Sequence, residues 1–326
     1  MTAAGDDPGG RIATRPVTGL LWNPLAGRNR RQPELLEQTL ATLPIHAYRE
    51  AVTPPQVSHA LAQLAAHDVD LLIISGGDGT VQAAMTCLFT ERPFARLPPI
   101  ILLPSGTTNM DARDIGVRGR PRRALARLHR RVSNGWAGLS VVDRPVLCVT
   151  HGDQRVYGFF FGTGLITEAV DYFQARIRRW TGLGQFGSLI ATLRTLARLL
   201  FRRSSPVAMT LDWGDGQARE GGWALVLVTS LERVLFRTRP YHDIGRGPAH
   251  MTAARYPLRR ALVALMRTRR AGDRAEADGL CSRRVSQLEL LFDDYFVVDG
   301  ECYPATAAHG TVSVTIAGER VRFLVP

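Results

Sequence analysis

Six residues, Ser75-Gly76-Gly77-Asp78-Gly79-Thr80, constrain this chain more than any others because of what flanks them. Asp70-Leu71-Leu72-Ile73-Ile74 leads in as a short apolar stretch that reads as a buried parallel strand. Thr80 to Phe89 leads out as a helix. Three glycines between strand and helix let the backbone take positive φ and approach a ligand closely. The first N–H groups of a helix have no intrahelical acceptor and carry a partial positive charge, so the turn suits a phosphate. Asp78 adds a carboxylate beside that position, where it would help hold a magnesium ion.

The same rhythm extends on both sides. Val17 to Asn23, Ile45 to Glu50 and Pro99 to Leu103 read as further strands. Pro33 to Thr42 and Pro54 to His67 read as helices, the second capped by Thr53, and Arg120 to Arg131 as a basic helix. Strands alternating with helices predict an α/β domain with a doubly wound parallel sheet over residues 16–137, and a ligand site at the carboxyl ends of its strands. From about Gly138 short apolar runs are separated by turn signals. Leu139 to Val142, Pro145 to Thr150, Arg155 to Phe161, Val207 to Trp213, Trp223 to Thr229, Gln287 to Phe292, Tyr295 to Val298, Thr311 to Ile316 and Arg320 to Val325 predict a mainly antiparallel β-sandwich over residues 138–326. Its last strand is free to return to the first domain. The polar stretch 1–15 reads as a disordered leader without the apolar core of a secretory signal.

Composition removes several chemistries. All 41 basic side chains are arginine. Without lysine there is no Walker-type phosphate lysine, no protein-kinase strand lysine and no Schiff base. A nucleoside triphosphate would be held by backbone N–H groups, arginines and a metal. The four cysteines are scattered and imply neither a disulfide framework nor a metal-ligand pair. The net charge of +12 suits an anionic membrane surface, and no nucleic-acid module accompanies it. Phe186 to Arg203 reads either as a basic amphipathic helix near a membrane or as a helix packed on the β domain with a solvated basic edge.

Two more turns fall at the same edge of the predicted sheet: Asn23-Pro24-Leu25-Ala26-Gly27 after the first strand, and Gly106-Thr107-Thr108-Asn109-Met110-Asp111-Ala112-Arg113 after the fourth. With Gly76 to Thr80 and the late Asp299-Gly300-Glu301, they resemble the diacylglycerol kinase catalytic-domain family, which includes bacterial lipid kinases, sphingosine kinases and ceramide kinases. The resemblance implies an ATP- and Mg2+-dependent lipid kinase that phosphorylates a hydroxyl of a diacylglycerol-like or sphingoid lipid, with a nucleotide-binding first domain, a β-sandwich second domain and a cleft between them. It implies that Asn23 and the backbone at Gly27 hold the nucleotide. Gly76, Gly77, Asp78, Gly79 and Thr80 would cradle the phosphates and place magnesium, and Gly106, Thr107 and Asn109 would line the pocket. Asp299 would be the general base that takes the lipid hydroxyl's proton, with Glu301 assisting at metal or nucleotide and Asp78 completing the catalytic set. Glu168 or Asp171 would face the lipid head group, as acidic residues do in sphingosine kinases. The protein would be cytoplasmic and touch the inner membrane face transiently, and a homodimer stays open.

The chain departs from the family at Ala26, where serine is usual, and at Met110, where many members have aspartate. Gly245 to Pro257 also lacks the Asp-Gly pair linked to an accessory metal. These departures keep a catalytically weak nucleotide- and lipid-binding regulator as an alternative. A kinase of a soluble substrate such as NAD is another, since such enzymes share the Gly-Gly-Asp-Gly turn. Asp299-Gly300 also reads as a plain hairpin turn.

Overall fold

The computed structural model describes residues 16–168, 170, 206–234, 239, 241, 245–256 and 279–326. The leader, Asp171 and the stretch Phe186 to Arg203 lie outside the described residues. The chain divides into two compact units: residues up to Thr80 with Arg92–Asp143 and Arg322–Pro326, and Val81–Glu91 with Arg144–Val321.

The first unit is an α/β domain. Its strands are β1 (Thr18–Trp22), β2 (Ala47–Glu50), β3 (Leu71–Gly76) and β4 (Ile100–Pro104), all parallel in the order β2-β1-β3-β4. β1, β3 and β4 are buried along their whole length, as helices on both faces of a parallel sheet require. The helices are α1 (Glu34–Thr42), α2 (Pro54–Ala65), α4 (Met110–Asp114) and α5 (Pro121–Ser133), and α3 (Asp78–Thr90) begins here, its residues from Val81 on counting with the second unit. Helix α2 buries Val57, Ala60, Leu61 and Leu64, a single helical stripe, and the Gln56 side chain accepts the Thr53 N–H at its start. α5 buries Ala124, Leu125 and Leu128 in the same manner. α3 is different: Val81, Ala84, Met85, Cys87, Leu88 and Phe89 are all buried, so it shows no amphipathic period.

The second unit is mostly antiparallel. Its strands are β5 (Ser140–His151), β6 (Gln154–Gly158), β7 (Phe160–Gly164), β8 (Val207–Asp212), β9 (Arg219–Thr229), β10 (Ala249–Arg255), β11 (Leu280–Val285), β12 (Gln287–Leu291), β13 (Asp294–Val298), β14 (Glu301–Ala305) and β15 (Val312–Val325). The order is β14-β13-β7-β9-β8-β12-β15, with β10 joining β9 to β11 and β6 paired with β5. Alternate residues of each strand enter one core: Leu147 and Val149, Val226 and Val228, Leu288 and Leu290, Phe296 and Val298, Val312 and Val314. Each such side chain, fully buried, contributes about 1.5–3 kcal/mol.

Three strand readings change. β5 runs unbroken through Asp143-Arg144-Pro145; Pro145 lies outside the stretch Leu147–His151 paired with β6. Arg155 to Phe161 breaks at Phe159 into β6 and β7, for a reason given below. β15 is one strand where Ala317-Gly318 suggested two: Val312 to Thr315 pairs with β12, and Phe323 pairs with Ile100 of β4. β10, β11 and β14 lack a clear sequence signal. β14 contains Pro304, which an edge strand tolerates because, among the described residues, one side makes no ladder.

Candidate active site

Three loops meet at the carboxyl ends of β1, β3 and β4, and glycine is what lets them meet. The Gly76 carbonyl accepts the N–H groups of both Ser105 (3.0 Å) and Gly106 (3.1 Å). A Cβ at Gly106 would stand 2.4 Å from the Gly77 Cα, and one at Gly77 3.1 Å from the Gly106 Cα. The two turns therefore touch backbone to backbone. A Cβ at Gly76 would strike the Thr80 side chain at 2.5 Å. Gly27 has more room; its nearest neighbour would be the exposed Thr107 Oγ1 at 3.4 Å.

Asn23 and Asn109 act within the loops. Asn23 donates its amide N–H to Thr80 Oγ1 at 2.8 Å and accepts the Leu25 N–H at 2.9 Å, tying the first loop to the start of α3. Asn109 sits in the left-handed region at φ 48° and is 2 % exposed. Its amide oxygen accepts the Gly106 N–H and its amide nitrogen donates to the Gly106 carbonyl, both at 2.7 Å. Both side chains thus set the shape of the loops.

Asp78 opens α3, half-buried, with the half-buried Gly79 and the buried Thr80 behind it. Burial raises its carboxyl to about 6, against hydrogen bonds from the backbone of Asp111, Met110 and Asn109 and the charge of Arg113. Between the unfolded value of 3.8 and about 6 the folded chain keeps a proton that the unfolded chain has released. Ionised Asp78 therefore costs stability at neutral pH, and the cost is relieved as pH falls. Asp78→Asn is expected to be more stable than the parent at pH 8 by on the order of 1 kcal/mol, allowing for solvent screening. Thermal melts should show this gain shrinking as pH falls through 6 and vanishing below about pH 4.

Residues to which the sequence reading gave no role support the loops. Asn29, 2 % exposed, donates to the Ser75 carbonyl and hydroxyl, and the Ser75 and Ser105 hydroxyls are 2.9 Å apart. The signal was present in the chain: a Ser-Gly pair ends β3 and another directly follows β4. Arg28 donates its guanidinium to the Pro104 carbonyl at 2.8 Å. Burial, then the charges of Arg113, Arg120 and Arg31, lower its pKa from the usual value. Asp111, 1 % exposed, carries the acid one position after Met110.

Residues 18–136, which contain all three loops, match the diacylglycerol kinase catalytic domain. Over that stretch the chain is similar to the diacylglycerol kinase catalytic-domain family. Diacylglycerol kinase of Bacillus subtilis (strain 168) is 27% identical over 217 residues, 64% of this chain and 63% of that protein, so the match spans under two thirds of the relative's length. Diacylglycerol kinase of Mycobacterium tuberculosis (strain CDC 1551 / Oshkosh) is 26% identical over 244 residues, 71% of this chain and 70% of its own. A crystal structure of a diacylglycerol kinase from Bacillus anthracis str. Sterne, 14% identical, superposes with a TM-score of 0.62 over 95% of this chain and 96% of that one. At that identity the likeness speaks to the fold: a parallel α/β domain followed by a mostly antiparallel one.

The second unit carries the other residues singled out in the sequence. Val298 pairs with Glu301, leaving Asp299 and Gly300 as a two-residue hairpin turn at φ 48° and 94°, as the sequence allowed. The Asp299 side chain does not point to solvent. It is 4 % exposed, and its carboxylate accepts the N–H of Phe159 at 2.9 Å and of Phe160 at 2.8 Å. That capture explains why the strand breaks between β6 and β7. It fits only because residue 158 is glycine, whose Cβ would stand 2.4 Å from Asp299 Oδ2. Glu301 is exposed at the start of β14. Tyr303, two residues on, accepts a hydrogen bond from Gln82 of α3 at 3.2 Å. Burial and the Glu301 charge push its hydroxyl up to about 12. Glu168 is exposed, in the helical residues 165–168. Among the described residues no cluster of three or more acidic, histidine or cysteine side chains is arranged to hold a metal, and no helix is long and apolar enough to cross a membrane.

Proposed function

We propose that this protein is an ATP-dependent lipid kinase that transfers the γ-phosphate to a hydroxyl of a diacylglycerol-like or sphingoid lipid. One observation carries the reading: the Gly77 and Gly106 backbones touch at the carboxyl ends of β3 and β4, beside the start of α3, inside the stretch that matches the family. Glycine lets these loops close against each other beside the start of α3, and a helix start offers the backbone N–H groups that triphosphate oxygens need at close range. Gly77, Gly79, Thr80, Gly106 and Thr107 would line the phosphate site, with Asn23 and Asn109 fixing its shape.

Asp78 fits a magnesium ion, because a carboxyl held at about 6 by burial gains most from a cation beside it. When bound, Mg2+ would supply positive charge to the phosphates. In this reading Asp299 accepts the proton of the lipid hydroxyl, Glu301 supports the charge on the second unit, and Glu168 meets the polar head of the lipid. The enzyme would work at the surface of the membrane that holds its substrate.

Purified protein, Mg-ATP, radiolabelled γ-phosphate and a panel of lipid alcohols in detergent micelles test the reading. Label is expected in a lipid product, with kcat/KM falling as pH drops through about 6, where Asp78 takes up its proton. Label in no lipid, under conditions where an established diacylglycerol kinase works, sinks it. A nucleotide- and lipid-binding regulator is the second reading. It rests on the Asp299 carboxylate, whose two oxygens already accept the N–H groups of Phe159 and Phe160.

A further inference from the structure

Half of the residues from Arg118 to Arg131 are arginine: Arg118, Arg120, Arg122, Arg123, Arg127, Arg130 and Arg131, with no carboxylate among them. The chain as a whole carries about one arginine in eight, from 41 in 326, so a general preference for arginine does not account for this density. All but the half-buried Arg127 are exposed. The apolar face of α5 is already spent on its own domain through Ala124, Leu125 and Leu128, so the helix needs no partner in order to fold. Relief from the neighbouring α1 is small: Glu34 pairs with Arg122, and Glu37 is the other acid on that helix. Arg127 is turned back to donate to the Arg118 carbonyl.

We infer that the outer face of α5 is a docking surface for an anionic lipid bilayer. Guanidinium groups bind phosphate and carboxylate oxygens bidentately, and a row of them is complementary in charge to an anionic headgroup layer. The face presents no exposed large apolar residue, so it rests on headgroups without inserting. It carries no Phe, Tyr or Trp either, so it offers nothing on which a single-stranded nucleic acid would stack its bases. The choice of a bilayer rests on the lipid-kinase reading.

The test uses the full chain and sedimentation with phosphatidylcholine vesicles, with and without phosphatidylserine, at ~0.1 M salt. Wild type is expected to bind only the phosphatidylserine vesicles and to be released by added salt. Each arginine at such a surface is worth about a factor of five, so Arg118→Gln, Arg123→Gln and Arg130→Gln together should weaken binding on the order of 100-fold. The matching triple lysine variant should bind as wild type does, which separates loss of charge from loss of fold. Turnover of lipid in neutral detergent micelles reads the kinase separately and should be equal in wild type and both variants. Undiminished vesicle binding by the glutamine variant overturns the proposal. So does binding to a mixed-sequence oligonucleotide without binding to vesicles.

Discussion

Gly106→Ala is expected to lower nucleotide affinity and turnover at least 100-fold while leaving the β domain folded. The added Cβ would stand 2.4 Å from the Gly77 Cα and 3.1 Å from Asn109 Oδ1, and neither neighbour is the end of a flexible side chain. Asn109 is fixed by two hydrogen bonds to Gly106 itself, and Gly77 lies between β3 and α3. The turns must therefore part by about an ångström, a displacement that costs on the order of 100-fold where phosphates are positioned by backbone. Overpacking of this kind adds about 1–3 kcal/mol of instability. Gly300→Ala is the control: its Cβ meets nothing within 4 Å, so only the strain of φ 94° remains. Binding of an unhydrolysed ATP analogue and urea unfolding check both variants. Wild-type affinity in Gly106→Ala would remove the cradle from the argument.

Asp299→Asn should lose turnover by about 100-fold to 10,000-fold if the residue is the base. It should also lose stability by about 1–3 kcal/mol whether or not it is. The side chain accepts two backbone N–H groups, from Phe159 and Phe160. An asparagine amide offers one oxygen and one NH2, so either orientation sets a donor against a donor in a place that is 4 % exposed. Asparagine tolerates φ 48°, so the backbone adds little. The two effects separate in the readout: turnover measured at a temperature where the variant is folded reports the base, and the urea midpoint reports the clamp. A variant that is destabilised but keeps wild-type turnover favours the binding-regulator reading.

Much of the first domain was legible because its signals are local. β3, the glycine turn and α3 follow one another within twenty residues, and each is recognised from its own neighbours. The stripe Val57, Ala60, Leu61, Leu64 and the cap at Thr53 are equally local. The antiparallel domain was less legible because its strands are defined by partners far along the chain. β15 is held as one strand by pairing at both ends, which overrides Ala317-Gly318. β10 is small-residue sequence made into a strand by β9 and β11 on its two sides.

The site divides along the same line. The residue types were readable: glycines at a strand-to-helix turn, an acid at the head of a helix, and Asp-Gly in a turn. What each side chain does was settled by tertiary contacts. Asn23 and Asn109 spend their amides on the loops, Asn29, Ser75 and Ser105 join beneath them, and Asp299 turns inward to two N–H groups 139 and 140 residues away. The sequence by itself determined which stretches bend, cap and bury, since those depend on a residue and its near neighbours. Only the folded chain decided which polar atoms are consumed, because a hydrogen bond is fixed by distance in space, and the groups that meet here are far apart in sequence.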